Sequence, residues 1–410
     1  MRFLSLRAAA LAAATLPALA AAAPLTLDEA VQRAVQRSEA ARGARAGATS
    51  AREAARAAGQ LPDPMLGVSV ENLPVTGPER FSTTREGMTM KRVALSQEWV
   101  PAGKRALRET AASAAVAREN AGVASALADA RLQAALADID AYFASVSLDL
   151  AAESQHHAFE ALRIAKARLA AGATNAPDVL ALAAAQGMAS DEAAEARQQF
   201  SSAALNLSRW TGTADDEFAA PAFPDAPDED TFVRNHPAVI AKQREIGMAR
   251  SDAAVTAANR RPNWTWEVAY GQRTGLPDLV SVGVTIPLPV APGARQDRDT
   301  AAKLALADKA EAELAEAVRA AQAEYRMLAS DAARLSERIA SVEANVLDPA
   351  KQRTAATQAS LASNQSTLAM AFDSRHMELD VQRKLLGLKR DLARVQAQLA
   401  FKPVRAEDLQ

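Results

Sequence analysis

Residues Asn263–Leu288 read NWTWEVAYGQRTGLPDLVSVGVTIPL, and they alternate. Trp264, Trp266, Val268 and Tyr270 fall on one face, and Thr265, Glu267 and Ala269 on the other. A period of two is the mark of a strand with one apolar and one polar face. Gly275-Leu276-Pro277 then makes a turn, after which Val280, Val282, Val284, Ile286 and Leu288 share a face opposite Ser281, Gly283 and Thr285. A soluble sandwich turns its apolar face inward. A membrane β-barrel inverts this, with apolar side chains against lipid and small polar ones against a wet lumen. Because almost all the rest of the chain reads as helix, the hairpin has no partner sheet, and we read it as a lipid-facing piece of a barrel. The alternative is a hairpin packed on helices in an α+β protein.

Moving outward, Met65–Glu71 puts Leu66, Val68 and Val70 opposite Gly67, Ser69 and Glu71, and Thr89–Val100 puts Val93, Leu95 and Trp99 opposite Ala94, Ser96 and Glu98. Before the first of these strands, Thr26 and Glu29 have the spacing of a capping box opening a helix that Pro62 and Pro64 stop. After the second, Lys104–Ala171 contains no proline and predicts a helix roughly 100 Å long. Ala171–Asn175 is a turn, and Pro177 suits the first turn of a return helix to Trp210. The same order then recurs about 190–200 residues later, which marks a tandem duplication. The expected organisation is a first repeat over 24–212 (strands 65–100, helical hairpin 104–210), an acidic linker over 213–234, a second repeat over 235–400 (strands 263–288, helical hairpin 295–399) and a C-terminal tail over 401–410. Gly293-Ala294-Arg295 echoes Gly103-Lys104-Arg105 at the strand-to-helix junction.

The totals narrow the function. A net charge of −2 over 410 residues argues against a nucleic-acid footprint. With no cysteine there is no disulfide, thiolate metal site or Cys nucleophile. Residues 1–23 read as a secretory signal, with Arg2 and Arg7 ahead of an apolar Ala8–Ala18 stretch too short for a spanning helix. Insertion into a membrane must then use strands. Four strands cannot close a barrel, whose smallest members have about eight, and lipid tolerates no open edge. The barrel must therefore be shared between copies: two would give eight strands and three would give twelve. The long helices should continue the barrel wall into the aqueous compartment.

The duplicated order, with Leu61-Pro62-Asp63-Pro64, Glu98–Arg105 and Gly172–Val179, resembles the TolC-like outer-membrane efflux proteins over essentially the whole mature chain. Glu71–Pro78, followed by Met88-Thr89-Met90, resembles the heavy-metal branch, the outer-membrane partners of metal-exporting RND pumps. The resemblance implies a mainly α protein with a small β part, assembled as a homotrimer. Its twelve-stranded membrane β-barrel would continue into a periplasmic α-barrel of twelve helices in a Gram-negative cell. It also implies a periplasmic adaptor, an inner-membrane pump and outer-membrane lipid as partners, passive conduction, and no enzyme activity, cofactor or bound metal. Drugs or secreted proteins are alternative cargoes, and a soluble periplasmic coiled-coil protein is the competing class.

The candidate functional residues follow. Gly172, Thr174 and Asn175 at the first hairpin tip, and Ser363 and Asn364 at the second, are the expected adaptor contacts. Asp178, Asp373 and Arg375 are the candidate gate charges. Trp99, Trp264 and Trp266 fit an aromatic girdle at the membrane interface. Adjacent His156 and His157 point about 100° apart on a helix and do not chelate one ion together. His236 and His376 read as structural. The run Asp215-Asp216-Glu217 with Asp225, Asp228, Glu229 and Asp230 reads as a solvated linker.

Overall fold

A computed structural model describes residues 24–363 and 365–409. The expected leader, 1–23, lies outside the described residues, as does Asn364. Four strands, β1 (Met65–Glu71), β2 (Met90–Trp99), β3 (Trp264–Arg273) and β4 (Leu279–Thr285), form one antiparallel sheet in the order β1-β2-β3-β4. The register aligns the apolar alternation of all four: Leu66 faces Leu95, which faces Val268, which faces Val282. This face is bare, with Val68 77% and Val282 75% exposed. On the opposite face, Arg92 of β2 pairs with Glu71 of β1 at 3.5 Å and with Glu267 of β3, a charge ladder beside the buried small pair Ala94 and Ala269. The sheet thus has one bare apolar face and one polar face. β2 and β3, at 10 residues each, have the length of a tilted membrane strand. The outer edges of β1 and β4 carry no partner strand among the described residues.

Trp99 and Trp264 are register partners with rings 5.9 Å apart, and Trp266 lies two residues further along the same face. All three sit at the end of the sheet where the chain turns into helix. Behind them, buried Lys104 donates to the Arg261 carbonyl (2.7 Å) and to Asn263 Oδ1 (2.8 Å), and Asn263 Nδ2 donates to Glu98 Oε1 (2.6 Å). Lys104 of the first repeat thus ties down the strand entry of the second. The echo at Gly293-Ala294-Arg295 does not reproduce this lock: Pro292–Ala294 forms a single 3-10 turn, and Ala294 has no amine to offer.

The helices are α1 (Leu27–Arg37), α2 (Glu39–Ala58), α3 (Ala102–Ala170), α4 (Ala176–Thr211), α5 (Glu229–Arg234), α6 (Pro237–Ala258), α7 (Gln296–Val342), α8 (Asp348–Ala362) and α9 (Leu368–Phe401). Thr26 and Glu29 form the capping box of α1, and Ser38 ends α1 and caps α2. Helix α3 runs unbroken for 69 residues, about 100 Å at 1.5 Å per residue. Helices α2 and α4 both pack along one flank of α3, while α6 and α9 both pack between α3 and α7. The wall is therefore four helices wide at each level, α2-α3-α6-α7 near the sheet and α4-α3-α9-α7/α8 near the tips. Alanines such as Ala135, Ala393 and Ala397, or Ala151, Ala193 and Ala196, fill the seams and let the helices approach closely.

The sequence predicts one uninterrupted helix before the second tip, but a π turn at Glu343–Leu347 separates α7 from α8. Pro349 explains it: proline lacks the N–H for the ordinary bond, and its ring crowds the carbonyl four residues back. The linker expected over 213–234 is helical at its end, where Asp228 accepts the Thr231 N–H and caps α5. Its other acids are partly spoken for, with Asp215 on Arg33 (3.3 Å) and Glu229 on Arg326 (2.8 Å). Residues 401–409 are docked: Phe401 and Val404 are buried, Val404 N donates to the Asn235 carbonyl, and Asp408 holds Arg131 through two bonds of 2.5 and 2.6 Å.

Helix α1 and this C-terminal segment cover one side of α3. Two turns from Arg131 on that covered stripe, Asp138 is 0% exposed and neither carboxylate oxygen has a hydrogen-bond partner among the described residues. Burial raises its carboxyl to about 7. Such a group keeps its proton in the native state while the unfolded chain has lost it. Stability therefore falls as pH rises from about 4 to about 7 and is flat above. The neutral isostere Asp138→Asn should match the native protein at pH 4 and exceed it at pH 8 by on the order of 4 kcal/mol, read from denaturation midpoints across pH.

Candidate functional site at the hairpin tips and tunnel wall

The first tip is built by two caps back to back. Gly172 adopts φ +70°, the left-handed conformation that closes α3 at little steric cost. Asn175 accepts the Asp178 N–H (2.9 Å) to cap α4, and the Thr174 hydroxyl donates to Asp178 Oδ2 (3.3 Å). Asp178 is therefore half-buried and engaged in cap chemistry. At the second tip Ser363 stays at negative φ, and its hydroxyl donates to the Ala359 and Ser360 carbonyls. Thr367 caps α9 by accepting the Met370 N–H. The two tips lie side by side. Leu368 and Phe372 pack on Val179 and Leu182, and a cleft of about 250 Å³ separates Thr174, Asn175 and Asp178 from Ser366 and Thr367.

The candidate gate charges behave differently from one another. Asp373 is exposed and has no ion pair among the described residues. Arg375 does not pair with it; the guanidinium bonds Glu153 of α3 and buried Glu378 (2.8 Å) of its own helix. Gln382 also donates to Glu378, at 3.2 Å. Arg375 thus works as a tie between α9 and α3.

The histidines make different contacts. His157 lies 3.4 Å from Glu153, while the His156 and His157 rings are 6.0 Å apart and tilted. His236 caps α6 by accepting the Ala238 N–H and meets Glu324 at 3.3 Å. His376 stacks on Phe372. Among the described residues no three His, Asp or Glu side chains converge as a metal site would require, and no helix is long and apolar enough to cross a membrane.

A cavity of about 770 Å³ was not foreseen from sequence. It runs over α3 between α4 and α9. Its α3 residue Asp140 lies two positions, about 200° around the helix, from covered Asp138. The groove therefore opens on the side of the wall that α1 and the C-terminal segment leave bare. Arg383, Arg390 and Arg394 of α9 line one bank. Their spacing of seven and four residues, which keeps them on one face, was the available signal.

No protein-family profile matches the chain, and no curated protein matches it. Solved structures do. The CmeC outer membrane channel of Campylobacter jejuni superposes with a TM-score of 0.77 at 13% identity, covering 92% of this chain and 85% of that one. The outer-membrane channel OprN gives 0.77 at 16% identity, covering 92% and 90%. The outer membrane protein VceC of Vibrio cholerae gives 0.71 at 18% identity, covering 92% and 96%. The chain therefore has, nearly end to end, the fold of outer-membrane channel proteins.

Arg375→Gln should remove the tie between α9 and α3 and leave Glu378 buried with a single donor. Hydrogen-exchange protection of the first turns of α9 should fall by about 1–3 kcal/mol. Asp373→Asn, which breaks no ion pair, should leave it unchanged.

Proposed function

We propose that this chain is the outer-membrane conduit of a tripartite efflux system, conducting cargo passively to the cell exterior. The observation that carries this is the bare apolar face of a four-stranded sheet whose polar face holds the Arg92 ladder and whose two edges are unpaired. Three copies, each giving four strands and a wall four helices wide, make a twelve-stranded barrel on a twelve-helix tunnel. Trp99, Trp264 and Trp266 then mark the periplasmic interface of the membrane, at the end of the sheet nearest the helices. The tips carrying Gly172, Thr174, Asn175 and Ser363 lie at the far end of α3 and α8, where a periplasmic adaptor coupled to an inner-membrane pump would dock. The energy comes from the pump, so the conduit needs no catalytic residue.

Heavy-metal cations are the cargo to which the Glu71–Pro78 segment points. An organic cargo is the second reading, favoured by the arginine-lined groove in the wall. Fractionation should place the protein in the outer membrane, released only by detergent, with a native mass about three times that of one chain; a soluble monomer would contradict the proposal. Deleting the gene should sensitise cells to zinc, cobalt, cadmium, copper or silver if the cargo is metal. Sensitivity to organic compounds alone would favour the second reading.

A further inference from the structure

The 770 Å³ groove is mixed in chemistry. Its floor is apolar, from Phe143 and Ala144 of α3 and Leu386 of α9. The α4 bank offers neutral donors and acceptors, Gln198, Gln199 and Ser202, beside Glu195, whose carboxylate accepts from Gln199 (2.9 Å). On the α9 bank two of the three guanidinia are committed to partners on other helices. Arg394 bonds both oxygens of Asp140 (2.6 and 2.5 Å), and Arg383 meets Glu192 of α4 at 2.6 Å. Arg390 is different. Among the described residues its one ion pair is with the neighbouring Asp391 of its own helix at 3.2 Å, and its side chain is about half exposed. One turn earlier Gly387 lines the groove, and a Cβ built there meets nothing within 4 Å. The wall is thus open beside the least committed cation.

In the trimer proposed above, the groove faces the bore. In a ring of twelve helices at about 10 Å each the radius is roughly 19 Å. Three copies of the layer formed by α1 and the C-terminal segment would fill that bore, so this layer lies outside and the bare side inside.

We propose that each groove is a transit site for an organic anion: a carboxylate, sulfonate or phosphate on Arg390, with an apolar body laid on Phe143 and Leu386 through the gap at Gly387. This rests on the conduit reading and deepens its second, organic-cargo branch, since it assigns the chemical class that passes the wall. A charge-assisted bond to guanidinium supplies the sign preference, and the apolar floor supplies area.

The test uses naphthalene-2-sulfonate as probe, with 2-naphthol and a naphthylmethylammonium ion as neutral and cationic controls. Binding is measured by titration calorimetry on the full protein in lipid nanodiscs. The sulfonate should bind in preference to both controls. Arg390→Gln should weaken it by about tenfold. Gly387→Leu should abolish sulfonate binding by filling the gap, and leucine in place of glycine favours the helix, so this variant folds. Sulfonate affinity unchanged in both variants, no binding to the native protein, or equal binding of the naphthol would overturn the proposal. Conductance in planar bilayers reads the conduit separately: channels that open normally without sulfonate preference defeat the transit site alone, whereas absence of channels defeats the conduit.

Discussion

A backbone N–H or carbonyl without a partner in hydrocarbon costs several kcal/mol, and this penalty governs the molecule. The chain exposes an apolar sheet face that water disfavours, and it leaves β1 and β4 with unpaired outer edges that lipid disfavours. No single copy escapes both. Closure of several sheets into a barrel, the assembly proposed above, would satisfy the edges while keeping Val68, Val282 and their neighbours against lipid. The inward charge ladder of Arg92, Glu71 and Glu267 fits the same solution, because it needs water on the other side.

The helices inherit their arrangement from this requirement. The chain enters α3 directly after Pro101, and Lys104 fixes that junction to the second repeat through Arg261 and Asn263. Direction set at the sheet is carried by a 69-residue helix to the tips. Alanine seams keep the wall thin and its helices close, and the outer layer of α1 and the docked C-terminal segment braces it at mid-height. The brace includes a buried unpaired carboxyl, Asp138, which contributes instability above neutral pH rather than support.

Much of this was legible from local pattern. Period-two alternation located all four strands. Thr26 with Glu29, and Pro177 after Asn175, marked helix ends, because capping is chemistry between residues three or four apart. What escaped was set by distance. Arg131 and Asp408 are 277 positions apart, so nothing local announces that 401–409 is docked rather than a tail. The sequence offers Arg375 only as a candidate gate charge, and its partner Glu153 lies 222 positions away on α3. The π turn had a local cause in Pro349, whose effect was read through. The groove needed the relative placement of α3, α4 and α9, although the spacing of Arg383, Arg390 and Arg394 was visible throughout.

The polarity of the sheet is the most direct point of attack, and the absence of native cysteine makes it accessible. Single cysteines introduced at Val282 and at Ser281, spin-labelled in reconstituted membranes, sit on opposite faces of β4. The label at 282 should relax preferentially with oxygen dissolved in lipid, and the label at 281 with a water-soluble nickel chelate. Both labels answering to the nickel chelate, or the two preferences reversed, would contradict a barrel with its apolar face toward lipid.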